Sequence, residues 1–168
     1  MPSLFDPIRL VAINAPNRIF MAPLTRARAT RQHVPMPIMA TYYAQRASAD
    51  LIISEATGIS REGMGWPYAA GLWSREQVEA WKPVTAAVHG AGGYLLDQFL
   101  LDQFLRDSSN LRQDAYGGPV ESRIRLLVEV ASAVAEEIGA ERTAARISPL
   151  GMSQGVEGYT DYPEAEPA

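Results

Sequence analysis

Apolar residues along this chain fall into two rhythms, short unbroken runs and longer stretches that recur at helical spacing. Residues 8–13 alternate loosely and meet the turn-rich tetrapeptide Asn14-Ala15-Pro16-Asn17, which predicts a short N-terminal hairpin plugging one end of a sheet. Residues 18–22 and 51–55, rich in Ile, Phe, Met and Leu, have the length of strands buried in a parallel sheet. Residues 37–49 between them read as helix, giving a βαβ unit whose crossover should be right-handed. Ser74 then serves as a helix N-cap with Gln77 placed to close a capping box, and Val78, Trp81, Thr85 and Val88 share one face until the glycine-rich residues 90–93.

A tandem repeat follows, in which Leu-Leu-Asp-Gln-Phe occupies residues 95–99 and again 100–104. On a straight helix five residues add about 500° of rotation, so the two copies would point about 140° apart and could not share a buried face. Residues 106–118 are a polar loop ending in Gly117-Gly118. Pro119 opens the longest amphipathic pattern, with Val120, Ile124, Leu127, Val128, Ala131, Val134, Ala135 and Ile138 in one stripe up to Gly139. Residues 143–148 read as a third strand, and the Gly, Glu and Pro-rich end offers little to pack. The expectation is an α/β domain over residues 1–150, with about three strands beyond the hairpin, and a flexible tail over 151–168.

Composition narrows the functional classes. The chain has 168 residues, 47% hydrophobic and 20% charged, enough for one core. A net charge of -4 without a basic run leaves no footprint for nucleic acid or anionic lipid. No cysteine is present, and His33 and His89 are far apart in sequence, so no metal site suggests itself. No window approaches a membrane-spanning apolar run and the N-terminus has no signal-like pattern, so a cytoplasmic protein is expected.

Residues 18–28 carry the most chemistry, because an apolar strand there runs into a Pro23-Leu24-Thr25 corner bearing a hydroxyl. In a parallel α/β barrel the C-terminal ends of the strands are where ligands are held. Together with Leu-Ile-Ile-Ser-Glu-Ala-Thr at 51–57, Tyr-Leu-Leu-Asp-Gln-Phe at 94–99, Asn-Leu-Arg-Gln-Asp-Ala-Tyr-Gly-Gly at 110–118 and Glu-Gly-Tyr-Thr-Asp-Tyr-Pro at 157–163, this stretch resembles the Old Yellow Enzyme family of FMN-dependent ene reductases. The closing motif resembles the N-ethylmaleimide-reductase-like branch.

The resemblance implies a (β/α)8 TIM-barrel-type fold, here partial. A flavin requires partners for its polar edge and a cation near its pyrimidine side. By the resemblance, Pro23, Leu24 and Thr25 lie against the FMN ring, Ala56 lines it and Arg146 contacts its pyrimidine edge. Tyr94 matches the family's proton donor, a phenol suited to that task because it stays protonated at neutral pH. His89 matches the first position of a substrate-holding His-x-x-His pattern whose second position is Gly92 here. Each residue also has a plainer reading: Thr25 as a turn cap, Arg146 in a surface ion pair, Tyr94 packed on a core and His89 at a helix end.

A complete barrel takes typically about 250 residues and seldom fewer than about 200. Against the family pattern two internal blocks are absent, one with a Gln-Leu-Trp-His strand and one with the phosphate-binding loops. Unpaired sheet edges should then either drive self-association into a homo-oligomer or leave a loosely packed, aggregation-prone fragment. The reading is an oxidoreductase passing hydride from NAD(P)H through FMN to an electron-poor alkene. The alternatives are a non-catalytic remnant with weak or no FMN binding, and a subunit that completes a barrel with another polypeptide.

Overall fold

The computed structural model describes residues 2–143 apart from 11, 62 and 100. β1 (Ile8–Leu10) and β2 (Ile13–Ala15) form the expected hairpin, with Ile8 opposite Ala15 and Leu10 opposite Ile13. Asn14 and Ala15 belong to the second strand, so the turn-rich tetrapeptide at 14–17 does not close the hairpin. Asn17 instead ties the next segment down, its Oδ1 accepting from Ile19 N–H at 2.9 Å and its Nδ2 donating to Ser48 O at 3.2 Å.

β3 (Phe20–Met21), β4 (Leu51–Thr57) and β5 (Tyr94–Phe99) make a parallel sheet in the order β3-β4-β5, with Phe20, Leu51 and Tyr94 in register. Successive strands are neighbours, the singly wound order of a βα barrel. The third strand therefore follows directly on the glycine-rich residues 90–93. The strand expected at 143–148 lies, after Thr143, outside the described residues.

α1 (Pro37–Ala44) begins with proline at its first position, where the missing N–H costs nothing, and a 3-10 turn at Ala47–Ala49 leads into β4. α2 (Arg75–Gly90) has the expected capping box at Ser74 and Gln77. Its buried face is Gln77, Trp81, Val84 and Val88, however, and Val78 is exposed. A glutamine can sit in the core because its polar atoms are satisfied. Oε1 accepts from Trp73 N–H at 2.8 Å and Ser74 N–H at 3.0 Å, and Nε2 donates to Gln32 O at 3.3 Å.

Met39 and Tyr43 of α1, Trp81, Val84 and Val88 of α2 and Ile52 of β4 form the core, with Ala29, Ala47 and Ala70. Each large apolar side chain so buried contributes roughly 1.5–3 kcal/mol. This core belongs to the first of two compact units into which the chain divides after Leu100, where the sequence reading drew one domain to residue 150. The tail over 151–168 lies outside the described residues.

The second unit holds α3 (Asp102–Leu105), α4 (Val120–Arg123), α5 (Arg125–Ile138) and a 3-10 turn at Ala140–Arg142. The long helix expected from Pro119 is interrupted at Ile124, and its stripe is uncovered. Val120, Ile124, Val128 and Ile138 are all exposed, and none of the α5 residues is buried. The preceding loop is well tied. Asn110 Nδ2 donates to Phe104 O and Tyr116 O, both at 2.7 Å, and Arg123 donates to Leu105 O at 2.8 Å and Gly118 O at 2.5 Å. Gly117 is required there, because a Cβ would stand 2.1 Å from Arg112 O.

Candidate functional site at the C-terminal edge of the sheet

Parallel strands gather their C-terminal ends on one side of a sheet, where irregular backbone can face a ligand. After Met21 the chain turns through Ala22-Pro23-Leu24-Thr25, while β4 ends in Glu55-Ala56-Thr57. Pairing of β4 with β5 is irregular between Ile53 and Ala56, so Ser54 and Glu55 are both buried where regular alternation would expose one of them. The Glu55 carbonyl accepts from Ser54 Oγ and from Thr57 Oγ1, each at 3.0 Å.

A buried carboxylate needs partners, and those of Glu55 come from Tyr43 and Arg26. Its Oε1 accepts from the Tyr43 hydroxyl at 3.3 Å, its Oε2 accepts from Arg26 N–H at 3.1 Å, and its own N–H donates to Tyr43 Oη at 2.9 Å. Burial pushes the Glu55 carboxyl up from its ordinary value, and hydrogen bonds from the Arg26 and Ala27 backbone and from Tyr43, with the Arg26 charge, pull it back. Beside it a cavity of about 110 Å³ is lined by Arg26, Arg28, Ile38, Met39, Tyr42 and Glu55. The Arg46 guanidinium stands 3.8 Å from the Tyr42 ring centroid and that of Arg26 5.5 Å, both within cation–π range.

The corner residues follow from this anchor. Arg26 is fastened to Glu55, so Thr25 directly precedes the residue that the Glu55 carboxylate holds. Thr25 is exposed and its hydroxyl has no hydrogen-bond partner among the described residues, so it does not act as a turn cap. Leu24 is exposed, and Pro23 and Ala56 are half-buried. Thr25 can therefore donate to or accept from a ligand's polar edge.

Tyr94 and His89 lie elsewhere. Tyr94 pairs with Leu51, the first residue of β4, so it stands at the N-terminal end of the sheet. At about 3.3 Å per residue that is some 16 Å from the level of Ala56, far beyond hydrogen-bond reach. His89 is exposed in the last turn of α2, at the same end. The turn at 90–93 makes Tyr94 open a strand, so the two residues expected at the catalytic and substrate-binding positions stand at the end of the sheet away from Ala56. Arg146 lies outside the described residues. Glu55, Tyr43 and Arg26 were missed by sequence reasoning, although a glutamate inside a buried apolar run was itself the signal that a partnered carboxylate lay there.

Among the described residues no group of His, Cys, Asp or Glu is arranged to hold a metal, and no helix is long and apolar enough to cross a membrane.

Comparison with known proteins gives a consistent answer. The family model described as NADH:flavin oxidoreductase / NADH oxidase matches residues 3–98 and 88–165. The two matches overlap at 88–98, the stretch that joins α2 to β5. Among curated relatives, chanoclavine-I aldehyde reductase fgaOx3 of Penicillium roqueforti is 33% identical over 99% of this chain and 65% of its own length. A putative 12-oxophytodienoate reductase 3 of Oryza sativa is 32% identical over 87% of this chain and 58% of its own. The first of these alignments spans 246 positions against a chain of 168 residues, so the relative carries sequence inside the matched region that has no counterpart here. Among solved structures, an old yellow enzyme homologue from Zymomonas mobilis superposes with a TM-score of 0.78 at 44% identity, covering 94% of this chain and 66% of that one. Morphinone reductase in complex with tetrahydroNAD does so with a TM-score of 0.78 at 30% identity, covering 94% and 67%. This chain thus spans about two thirds or less of the relatives it matches.

Proposed function

Because this chain belongs to the NADH:flavin oxidoreductase / NADH oxidase family, we propose that it binds FMN at the C-terminal edge of its sheet and acts as an ene reductase. Pro23, Leu24, Thr25 and Ala56 line the isoalloxazine in this reading, with Arg146 at its pyrimidine edge. Hydride transfer from NAD(P)H to an electron-poor alkene is the chemistry that FMN supplies when bound. What the chain contributes is position: the Thr25 hydroxyl offers one directed hydrogen bond to the polar edge of the ring, and Glu55 fixes the corner that carries it.

The observation that carries this reading is the exposed Thr25 hydroxyl, with no hydrogen-bond partner among the described residues, next to Arg26 that Glu55 fastens. Titrating FMN with the full chain and following flavin fluorescence tests it. Saturable quenching that weakens roughly tenfold in Thr25→Ala, the size of one good hydrogen bond to a bound group, is expected. Equal quenching by both chains would remove Thr25 from the site.

One observation favours a second reading, a chain that keeps the ring-edge contacts but does not turn over. Tyr94 stands at the opposite end of the sheet, so the expected proton donor is not among the described residues at the proposed site. Protein that binds FMN but shows no alkene-dependent oxidation of NADPH or NADH would establish this reading over the first.

A further inference from the structure

The loops that follow β3 and β4 do more than carry the corner, because they are laced to each other. Gly71 N–H donates to His33 O at 2.8 Å, Ala29 N–H donates to Tyr68 O at 2.9 Å, and His33 Nδ1 is bonded to Ala69 O at 2.8 Å. Gln77 Nε2 reaches across to Gln32 O, and the His33 and Trp73 rings lie 5.6 Å apart. These contacts leave a solvent-open cleft of about 370 Å³ between the two loops, bordered by Arg31, His33, Arg61, Trp73 and Glu76. Its size lies within the range of small-molecule sites.

The charge in this cleft is unusual for the chain. The protein is net acidic at -4, yet two arginines border the cleft against a single carboxylate, Glu76. Neither Arg31 nor Arg61 has an ion-pair or hydrogen-bond partner for its guanidinium among the described residues. His33 spends Nδ1 on the Ala69 carbonyl, so Nε2 is the ring nitrogen left to a ligand. The N-terminal N–H groups of α2 are not the basis of the site, since Ser74 and Gln77 already cap one another there.

We propose that this cleft binds a phosphate-bearing anion, with Arg31 and Arg61 gripping the phosphate and the Trp73 ring packing against whatever is attached to it. Guanidinium groups present forked donors matched to phosphate oxygens, and a charge-assisted pair of this kind is stronger and more directional than a neutral hydrogen bond. The laced loops supply a preformed concave surface, so that ordering on binding falls mainly on the two arginine side chains. The proposal stands apart from flavin binding and from Thr25.

Calorimetric titration of the full chain with ADP, adenosine and inorganic phosphate tests it. ADP should bind saturably and adenosine should not, and the Arg31→Gln, Arg61→Gln double variant should weaken ADP roughly tenfold or more. Both substituted residues are exposed, and an unchanged melting curve checks that the variant folds. Lys82→Gln, exposed on α2 and paired with Glu79, should leave ADP affinity unaltered. Inorganic phosphate binding as tightly as ADP would identify the free anion as ligand, and tighter ADP would identify a nucleotide; either supports the cleft as a phosphate site when the double variant abolishes it. Adenosine binding as well as ADP, no binding of ADP or inorganic phosphate, or ADP binding undiminished in the double variant would overturn it.

Discussion

The Glu55 carboxylate of β4 accepts a hydrogen bond from the backbone N–H of Arg26 at 3.1 Å, across 29 residues of sequence, and so pins the Pro23-Leu24-Thr25 corner to the end of the neighbouring strand. A side chain reaching a backbone donor fixes the corner without constraining the residues that face a ligand.

Stability should fall as pH rises from the acid side, in a manner specific to Glu55. Burial raises its carboxyl above the ordinary 4.5, so the folded chain still holds a proton that the unfolded chain has released. The stabilisation is fully present below about 4.5 and is lost as pH rises through the raised folded value. Asp50, also raised by burial, acts in the same sense from 3.8. Melting temperatures measured from about pH 4 to about pH 8 should show a shallower decline in Glu55→Gln, and an identical slope would contradict the assignment.

Tyr43→Phe removes a hydroxyl that both donates to Glu55 Oε1 and accepts from Glu55 N–H. The phenyl ring still fills the core, so the loss is that of buried polar groups left unpaired, about 1–3 kcal/mol. Urea unfolding measures it, and a difference below about 0.5 kcal/mol would show that water or another group replaces the hydroxyl.

Tyr94→Phe should leave FMN affinity, and the rate of any flavin-dependent alkene reduction, unaltered. The residue opens β5 on the side of the sheet opposite to Ala56. A tenfold or greater loss of alkene reduction with an unaltered melting curve, the size expected for removing a general acid, would restore Tyr94 to the site.

The apolar stripe over α4 and α5 should make the protein self-associate. Val128 is 55% exposed and Ile138 46%, although the stripe has the spacing of a core-facing helix. Val128→Lys with Ile138→Lys should lower light scattering and the binding of an apolar dye while changing folding stability by no more than about 0.5 kcal/mol. Unchanged scattering in the double variant would place the contact elsewhere, at the open sheet edges.

Much of the local structure was legible because it rests on short-range chemistry. The capping box at Ser74 and Gln77, the start of α1 at Pro37 and the turn at Gly117-Gly118 each depend on residues a few positions apart, and each appears as the sequence implied. The Pro-Leu-Thr corner and the Ser-Glu-Ala-Thr segment announced the flavin-oxidoreductase family for the same reason, since motifs are local. The buried face of α2 was less legible, because only the acceptors and donors brought by Gln32, Trp73 and Ser74 make Gln77 a core residue in preference to Val78.

The tandem pentamer marks the limit. Residues 95–99 run in strand β5, whereas Asp102, Gln103 and Phe104 of the second copy fall in helix α3. Identical side chains carry identical intrinsic preferences, so propensity cannot separate the two. The first copy becomes a strand because β4 offers it an open row of backbone donors and acceptors in parallel register. That same pairing carries Tyr94 to the far end of the sheet from Thr25. The sequence by itself determined the family, the elements with local signals and the chemistry available at the corner; the hydrogen-bonding edge of a distant strand decided which residues stand together there.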